Sequence, residues 1–180
     1  NSLLTKYMIK KIIFFSIFIL ALDLSAKTLD YVKERGYLIC GISENLVGFA
    51  SPNDKGEWVG FDVDICRSVA AAVLGDSNKV EFLTTTSKSR FPLLASGEID
   101  LLARNTTWTF SRDTNLGFEY AGINFYDGQG FMVLKSLGIN SIKDLEGAII
   151  CIESGSTKEF NLVNYFSKNN ISFTKLLVEI

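Results

Sequence analysis

Short apolar runs alternate with segments of helical periodicity along most of the chain. Continuous apolar runs of this kind are typical of strands that are buried on both faces of a parallel sheet. Because strands and helices alternate at short spacing, the pattern predicts βαβ units and an α/β fold. The predicted strands are 37–42, 80–83, 99–103, 118–121, 131–134, 148–152 and 173–178, and the predicted helices are 29–35, the segment before Gly75, 89–96, 142–145 and 156–167.

The segment that ends at Gly75 has the clearest helical pattern. Asp62 and Asp64 lie in its first turn, where carboxylates meet the positive end of the helix dipole. These two side chains point to different sides, and Glu98 and Asp100 flank the start of a strand, so both pairs are interpreted as structural. The residues predicted to face the sheet are Ile65, Val69, Ala72 and Val73.

The alternation of strands and helices begins again after residue 134, which predicts a second lobe. Ser156 followed by Glu159 predicts a capping box at the start of the helix in this lobe. We therefore expect a first lobe at 27–127, a hinge at 128–134 and a partial second lobe at 135–180.

The N-terminal segment has the pattern of a secretory signal peptide. Lys6, Lys10 and Lys11 precede an apolar run at 12–22, and a small residue, Ala26, closes the segment. The run is about half of the roughly 20 residues that a membrane span requires. The signal is expected to end at residue 26 and to start at Met8, with 1–7 as upstream read-through, so the mature protein is expected to be exported. A single-span anchor or a lipoprotein is the alternative.

Composition narrows the possible functions. The net charge is −2 and the charges are interspersed, which excludes the basic surface that a nucleic-acid-binding protein needs. The chain has no histidine, so it lacks the commonest general base and the usual zinc ligand. Acid–base chemistry would have to use carboxylates, lysine or tyrosine, which disfavours an enzyme.

The three cysteines, Cys40, Cys66 and Cys151, allow two interpretations. In an oxidising compartment Cys40 and Cys66 could form a disulfide, whereas buried free cysteines are the alternative. Their spacing lacks paired C-x-x-C motifs, which argues against a metal site.

A polar cluster at 104–113 contains the strongest candidate for ligand binding, Arg112. It follows a loop at the carboxyl end of a predicted strand, where open α/β sheets bind ligands. An arginine can hold a carboxylate by two parallel hydrogen bonds. Asn105, Thr107 and Thr109 could complete an anion site; the alternative is a surface arginine paired with a neighbouring carboxylate.

The turn formed by Gly155, Ser156 and Thr157 opens a predicted helix, whose free N–H groups also favour an anion. An ordinary capped helix is the alternative when this turn is considered alone. Together with Arg112 it would give two anion-binding walls on two lobes. Four aromatic residues are candidates for pocket walls or for the core: Phe49, Trp58, Trp108 and Phe110.

Two motifs carry a resemblance to a known family. Residues 60–65, followed by Val69 and Ala70, and the stretch 104–113 with 127–131, are similar to the periplasmic solute-binding proteins of bacterial ABC transporters, family 3. The second motif resembles the general L-amino-acid-binding branch. The resemblance covers residues 28–180, about the first half of a usual member, and implies the two-lobe periplasmic-binding-protein-like fold.

The resemblance also implies a set of ligand-binding residues. Arg112 stands where the family's arginine holds the α-carboxylate of the ligand, and the acidic residue for the α-ammonium is expected beyond Ile180. Arg90 stands where relatives often have an apolar wall residue. The other candidates are Asn105, Thr107 and Thr109 on the first lobe, Ser156 and Thr157 on the second, and Ser43 and Leu46 in the first loop.

The function implied by the resemblance is capture of L-α-amino acids, with broad specificity, for an ABC permease in the inner membrane. The expected partners are the amino acid and the permease subunits; the protein is expected to be monomeric, without cofactor, metal or nucleic acid. Two alternatives remain: an enzyme on the same fold, similar to cyclohexadienyl dehydratase or to the module of a lytic transglycosylase, and a receptor sensor module.

Overall fold

The computed structural model describes residues 28–179, which fall into two compact units, 28–36 and 37–179. The predicted signal peptide lies outside the described residues. The first unit contains helix α1 (Thr28–Arg35), which ends where the N–H of Gly36 donates to the carbonyl of Val32. In the part of the chain that the structure describes, every helix is too short or too polar to cross a membrane.

The second unit contains a parallel three-stranded sheet in the order β4–β1–β5. The central strand β1 (Leu38–Ile42) pairs with β4 (Val80–Thr84) on one side and with β5 (Leu101–Leu102) on the other. Helix α2 (Phe61–Leu74) connects β1 to β4, and α3 (Arg90–Ser96) connects β4 to β5. The parallel α/β arrangement predicted from the sequence is therefore confirmed.

A short antiparallel hairpin precedes α2. Strands β2 (Ser51–Pro52) and β3 (Trp58–Val59) form it, and Gly60 then turns the chain into the helix. Gly60 has a φ of 125°, and a Cβ atom there would lie 2.4 Å from the carbonyl oxygen of Phe49. Only glycine permits both this backbone conformation and this approach.

Helix α2 buries a different face from the one predicted. Val63, Cys66 and Ala70 are fully buried, whereas the predicted residues Ile65, Val69, Ala72 and Val73 are partly or fully exposed. Val63, Cys66 and Ala70 are spaced i, i+3 and i+7, so they form a second apolar stripe of helical period, and this stripe faces the sheet. Cys66 on this stripe forms a disulfide with Cys40 on β1, with the two Cα atoms 6.1 Å apart.

A second parallel pair of strands lies later in the chain. Strand β6 (Ala148–Glu153) pairs along its whole length with β7 (Phe173–Val178), and helix α5 (Thr157–Lys168) connects them. Phe166 is fully buried, with its ring centre 4.7 Å from that of Phe173 and 5.7 Å from that of Phe131. The core of this part consists of Leu145, Leu162, Phe166 and Ile171.

Two predicted strands, 118–121 and 131–134, are absent from the described residues. In the second segment Met132 is exposed at 100% and Leu134 at 72%, and in the first segment Phe118 stacks on Phe91 and not on a strand. Without a neighbouring backbone to bond with, an apolar run does not form a strand. The predicted strand 99–103 shortens to Leu101–Leu102, although single backbone bonds extend its pairing to Asp100 and Ala103.

The remaining elements are short. Helix α4 (Phe110–Asn115) follows the polar loop after β5. Two 3-10 turns, Lys135–Leu137 and Ile142–Leu145, precede β6, and the second occupies the predicted helix 142–145. These turns connect the first sheet region to the second.

Candidate functional site

Polar side chains gather where the parallel strands end. Ser43 follows β1, Thr85 follows β4, Arg104 follows β5, and Glu153 ends β6. The carboxyl ends of parallel strands are where open α/β sheets bind ligands. This cluster is therefore the candidate site.

Arg104 forms the buried centre of this cluster, with 8% of its surface exposed. Its Nη1 donates to the carbonyl of Thr85 (2.5 Å), and its Nε and Nη2 donate to Oδ1 of Asn105 (3.1 and 3.0 Å). The hydroxyl of Ser43 donates to the same Oδ1 (3.0 Å). Two predicted ligand-binding residues, Ser43 and Asn105, thus hold Arg104 in place.

Glu153 brings a carboxylate to the cluster from β6. Ser87 donates a short hydrogen bond to its Oε1, Lys158 donates to Oε2 (3.3 Å), and Nη2 of Arg104 lies 3.9 Å away. Burial acts to raise the pKa of Glu153, but the bond from Ser87 and the charges of Lys158 and Arg104 outweigh it, so the pKa is lowered. Glu153 is therefore ionised at neutral pH.

Asp62 is the second carboxylate near Arg104. It is 3% exposed, and its Oδ2 has no hydrogen-bond partner among the described residues. Burial raises its pKa, and the charge of Arg104 opposes this only in part. Asp62 lies in the first turn of α2, close enough to Arg104 for the two charges to interact.

Arg112 is held in position by several groups. Its Nη1 donates to the carbonyl of Thr107 (2.8 Å), and its guanidinium carbon lies 5.1 Å from the ring centre of Phe91. Its backbone N–H donates to Oγ1 of Thr109 (3.2 Å), which caps α4. The Tyr120 hydroxyl donates to the same Thr107 carbonyl (3.4 Å), and burial raises its pKa. The loop after β5 thus fixes the guanidinium.

Arg90 lies beside Arg112 and is almost completely buried, with 2% exposure. Its guanidinium carbon is 5.0 Å from the same Phe91 ring centre. Nη1 donates to Oγ1 of Thr106 (3.4 Å) and Nη2 to the carbonyl of Gly155 (3.5 Å), and both bonds are long. Burial first, and then the charges of Arg104 and Arg112, lower its pKa to about 10.

The turn before α5 closes the cluster from the other sheet. Oγ1 of Thr157 lies 3.1 Å from Oγ1 of Thr107. Ser156 caps the helix by accepting from the N–H of Glu159 (3.3 Å). The carboxylate of Glu159 accepts from the N–H of Gly155 (3.4 Å), whereas the predicted capping box requires the N–H of Ser156. Half of that box is therefore formed.

The remaining predicted residues lie apart or exposed. Leu46 sits in a separate turn, where its backbone pairs with that of Ala50. Phe49 packs edge-on against Phe61 and Phe125. Trp108 and Phe110 are exposed by 44% and 74%, so neither forms a wall of the described site.

Several residues of the cluster were not predicted as site residues, among them Arg104, Glu153, Ser87 and Phe91. The rule that located Arg112 also applies to Arg104 and Glu153, because each stands at the carboxyl end of a strand. Ser87 and Phe91 carry no comparable signal. Taken together, the cluster contains three guanidinium groups, the ammonium group of Lys158 and the carboxyl groups of Glu153 and Asp62, a set of charged groups that suits an anionic or zwitterionic ligand.

Comparison with known proteins gives consistent matches. Residues 38–179 match the sequence model of the bacterial extracellular solute-binding proteins, family 3. The chain is 56% identical over 150 residues to the glutamate/glutamine/aspartate/asparagine-binding protein BztA of Rhodobacter capsulatus. The matched stretch covers 83% of this chain and 44% of the relative. It is also 52% identical over 155 residues to the general L-amino acid-binding periplasmic protein AapJ of Rhizobium johnstonii, a match that covers 86% of this chain and 46% of the relative.

A solved structure agrees with these matches. The ABC transporter periplasmic binding protein from Brucella ovis with glutathione bound is 54% identical, with a TM-score of 0.81 over 87% of this chain and 49% of that chain. The chain spans less than half the length of the two curated relatives.

Proposed function

The chain belongs to the bacterial extracellular solute-binding proteins, family 3, and we propose that it binds L-α-amino acids as the extracytoplasmic component of an ABC transporter. Relatives named as amino-acid-binding proteins support the ligand class. The proposal includes broad specificity, a periplasmic location reached through the signal peptide at 1–26, and delivery to permease subunits by a monomer.

The observation that carries the proposal is the position of Arg112. The Thr107 carbonyl takes one of the five donors of its guanidinium, and the Phe91 ring orients the plane. Further donors remain for the α-carboxylate that every L-α-amino acid has. The hydroxyls of Thr107, Thr109 and Thr157 and the first N–H groups of α5 supply additional donors to the same anion.

Contacts between the two sheet regions support capture by closure. Thr107 meets Thr157, and Ser87 meets Glu153, across the site. We propose that 27–127 and 135–180 act as lobes and that 128–134 is the hinge. Closure removes the ligand from water, which strengthens the charge-assisted bonds, and the ligand in turn favours the closed state.

The matched relatives are named as binding proteins, and the chemistry of the site supports non-covalent binding without catalysis. An enzyme on this fold would require a positioned general acid in the cleft, and such a group needs a raised pKa. Glu153 has a lowered pKa and is held by Ser87, Lys158 and Arg104. Asp62 has a raised pKa, but at 3% exposure it is buried away from a ligand.

The test is isothermal titration calorimetry of the full-length protein with a panel of L-amino acids. Arg112→Ala should weaken binding at least about 100-fold, because a charged pair of hydrogen bonds to the carboxylate is lost. Arg112→Lys should recover only part of this loss, since lysine lacks the planar fork.

Arg67→Ala is the matched control. Arg67 also donates to a backbone carbonyl, that of Trp58 (3.0 Å), and also lies over a ring, that of Phe82, but it is on α2 and outside the site. Its removal should leave the affinity unchanged. Unaltered binding in Arg112→Ala would contradict the assignment of this arginine.

A further inference from the structure

Two guanidinium groups of the site lie over one aromatic ring. The guanidinium carbon of Arg90 is 5.0 Å from the ring centre of Phe91, and that of Arg112 is 5.1 Å from the same centre. Both distances are within the roughly 6 Å over which the negative face of an aromatic ring attracts a cation. Phe91 therefore adjoins the arginine to which the proposed function assigns the ligand's carboxylate, together with a second cation beside it.

The two cations need such a partner, because like charges at short range repel each other. Within residues 28–179, neither Arg90 nor Arg112 has a carboxylate within 4.0 Å. Arg90 is 2% exposed, so water screens its charge poorly. Burial, and then the charges of Arg104 and Arg112, lower its pKa to about 10. A ring that attracts both guanidinium groups offsets part of this repulsion.

The ring of Phe91 is itself held from two sides. Phe91 is the second residue of α3, so the helix backbone fixes the start of its side chain. Its ring stacks on that of Phe118, with the ring centres 5.8 Å apart and the planes 15° from parallel. Phe118 follows α4, so the stack joins α3 to the segment that comes after Arg112. The ring therefore offers the two arginines a fixed surface.

This surface bears on the orientation of the Arg112 guanidinium. The Nη1 of Arg112 donates to the carbonyl of Thr107 (2.8 Å), which fixes one nitrogen. The contact with the Phe91 ring adds a constraint on the plane of the group. Because a carboxylate accepts two parallel hydrogen bonds only from a fork whose plane meets it, the orientation of this plane affects the affinity.

We propose that Phe91 is a positioning residue of the site: the negative face of its ring holds the guanidinium groups of Arg90 and Arg112 next to each other and thereby presents the fork of Arg112 to the ligand's carboxylate. This proposal rests on the proposed function and adds a residue that acts on the ligand through Arg112. The charge distribution of the ring, and not only its volume, should therefore set the affinity for every L-α-amino acid that the protein binds.

Stepwise fluorination of the ring separates charge distribution from volume, because each fluorine weakens the negative face and hardly changes the size of the ring. Full-length protein that carries phenylalanine with one, two or three ring fluorines at position 91 is titrated calorimetrically with the panel of L-amino acids. The affinity should fall at each step and be about tenfold weaker with three fluorines. Thermal melting checks that each form is folded.

The same fluorinated residues at position 82 are the matched control. Phe82 also lies under an arginine, with the guanidinium carbon of Arg67 5.7 Å from its ring centre, but this pair is outside the site. Fluorination there should leave the affinity unchanged. Two ordinary variants complete the series: Phe91→Tyr, which keeps an aromatic face, should bind within about threefold of the wild type, whereas Phe91→Leu, which is apolar but has no ring, should bind about tenfold more weakly.

The position of Arg112 can also be followed without a ligand. An aromatic ring displaces the NMR signal of a nearby guanidinium Nε–H, and the signal of Arg112 is identified by its loss in Arg112→Ala. In Phe91→Leu this signal should move towards that of a free arginine; if melting shows that the leucine form is unfolded, the form with three fluorines replaces it.

Two results would overturn the proposal: affinities that stay constant across the fluorine series at position 91, or an Arg112 signal that does not move in the folded Phe91 variant. A wild-type protein that binds no amino acid would instead overturn the proposed function. The Arg112 signal distinguishes the two failures, because it reports the contact with the ring whether or not a ligand binds.

Discussion

The two parallel sheets of residues 37–179 differ in how completely they are buried. In the first sheet Leu38, Cys40 and Ile42 of the central strand are at most 4% exposed, and a disulfide joins this strand to α2. In the second sheet α5 covers one face only, and Ile149 on the other face is 72% exposed. The central strand of the first sheet is therefore buried, whereas in the second sheet residue Ile149 of β6 is exposed.

This difference also divides the site. The first region supplies the three arginines and most of the groups that orient them. The second region supplies Glu153, the Gly155 turn and the start of α5. The proposed ligand-binding arginines thus belong to the region whose central strand is buried, and the second region contributes groups at the edge of the same cluster.

The largest effect is expected at Phe166, the centre of the second region. Phe166→Ala should lower the free energy of unfolding by about 3–5 kcal/mol, since it removes a fully buried ring that packs on Phe131 and Phe173. Urea unfolding of the chain measures this loss. A loss below about 1 kcal/mol would mean that the second region contributes little to the folded state.

Removing the disulfide should affect the first region selectively. Cys40→Ala with Cys66→Ala should cost about 2–5 kcal/mol, because the unfolded chain regains the freedom that the bridge removes. Hydrogen exchange should accelerate in β1 and β4 more than in β6 and β7. Cys151 is a free and exposed cysteine, so Cys151→Ala is the control. It should change neither the free energy of unfolding nor the hydrogen exchange of the two sheets. Equal acceleration in both sheets would show that the regions unfold as one unit.

Glu153 joins the two regions, and its removal should have an intermediate effect. Glu153→Gln should cost about 1–3 kcal/mol at neutral pH, since the charged bonds with Ser87, Lys158 and Arg104 are weakened. Urea unfolding at pH 7 measures this cost, with Glu98→Gln, which changes an exposed carboxylate at the opposite end of a strand, as the control.

The pH dependence of stability follows from the sign of the Glu153 shift. Its pKa is lower in the folded chain than the ordinary value of 4.5, so the ionised form contributes stability above that pH. This contribution is lost as the pH falls through the folded-state pKa. Between pH 6 and acid pH, the free energy of unfolding should therefore fall less in Glu153→Gln than in the wild type. An identical pH profile in wild type and variant would contradict the role of Glu153.

The smallest effect is expected at Ile149, on the open face of β6. Ile149→Ala should change stability by less than about 0.5 kcal/mol, because its side chain is exposed. The same substitution at Ile42, which is 0% exposed on β1, should cost about 2–5 kcal/mol. Urea unfolding compares the matched pair directly. A large loss at Ile149 would show that another surface covers this face.

Much of the fold could be predicted because apolar runs mark buried parallel strands. Strands 37–42, 80–83, 148–152 and 173–178 agree with the structure to within one residue at each end. Apolar content alone does not distinguish a strand from an exposed extended segment. The strands predicted at 118–121 and 131–134 were therefore wrong. The predicted buried face of α2 was also wrong, because the helix carries two apolar stripes of the same period, and the one that contains Val63, Cys66 and Ala70 faces the sheet.

The site was predicted less completely than the fold. Arg112 and the threonines follow from their position after a strand, and the structure brings Thr107 and Thr157 together. The lack of a countercharge at Arg90 could not be predicted, because it depends on which carboxylates the fold places nearby. The sequence indicates which strand or loop carries a side chain. The partners of that side chain depend on which distant segments the fold brings next to it.

The single unpaired thiol has a practical consequence. The chain has three cysteines; two form the buried bridge, and Cys151 is exposed on β6, two residues before Glu153. A maleimide dye would therefore attach at one defined point without any cysteine engineering. An environment-sensitive fluorophore there would test the proposed closure, because movement of the second sheet would change its emission.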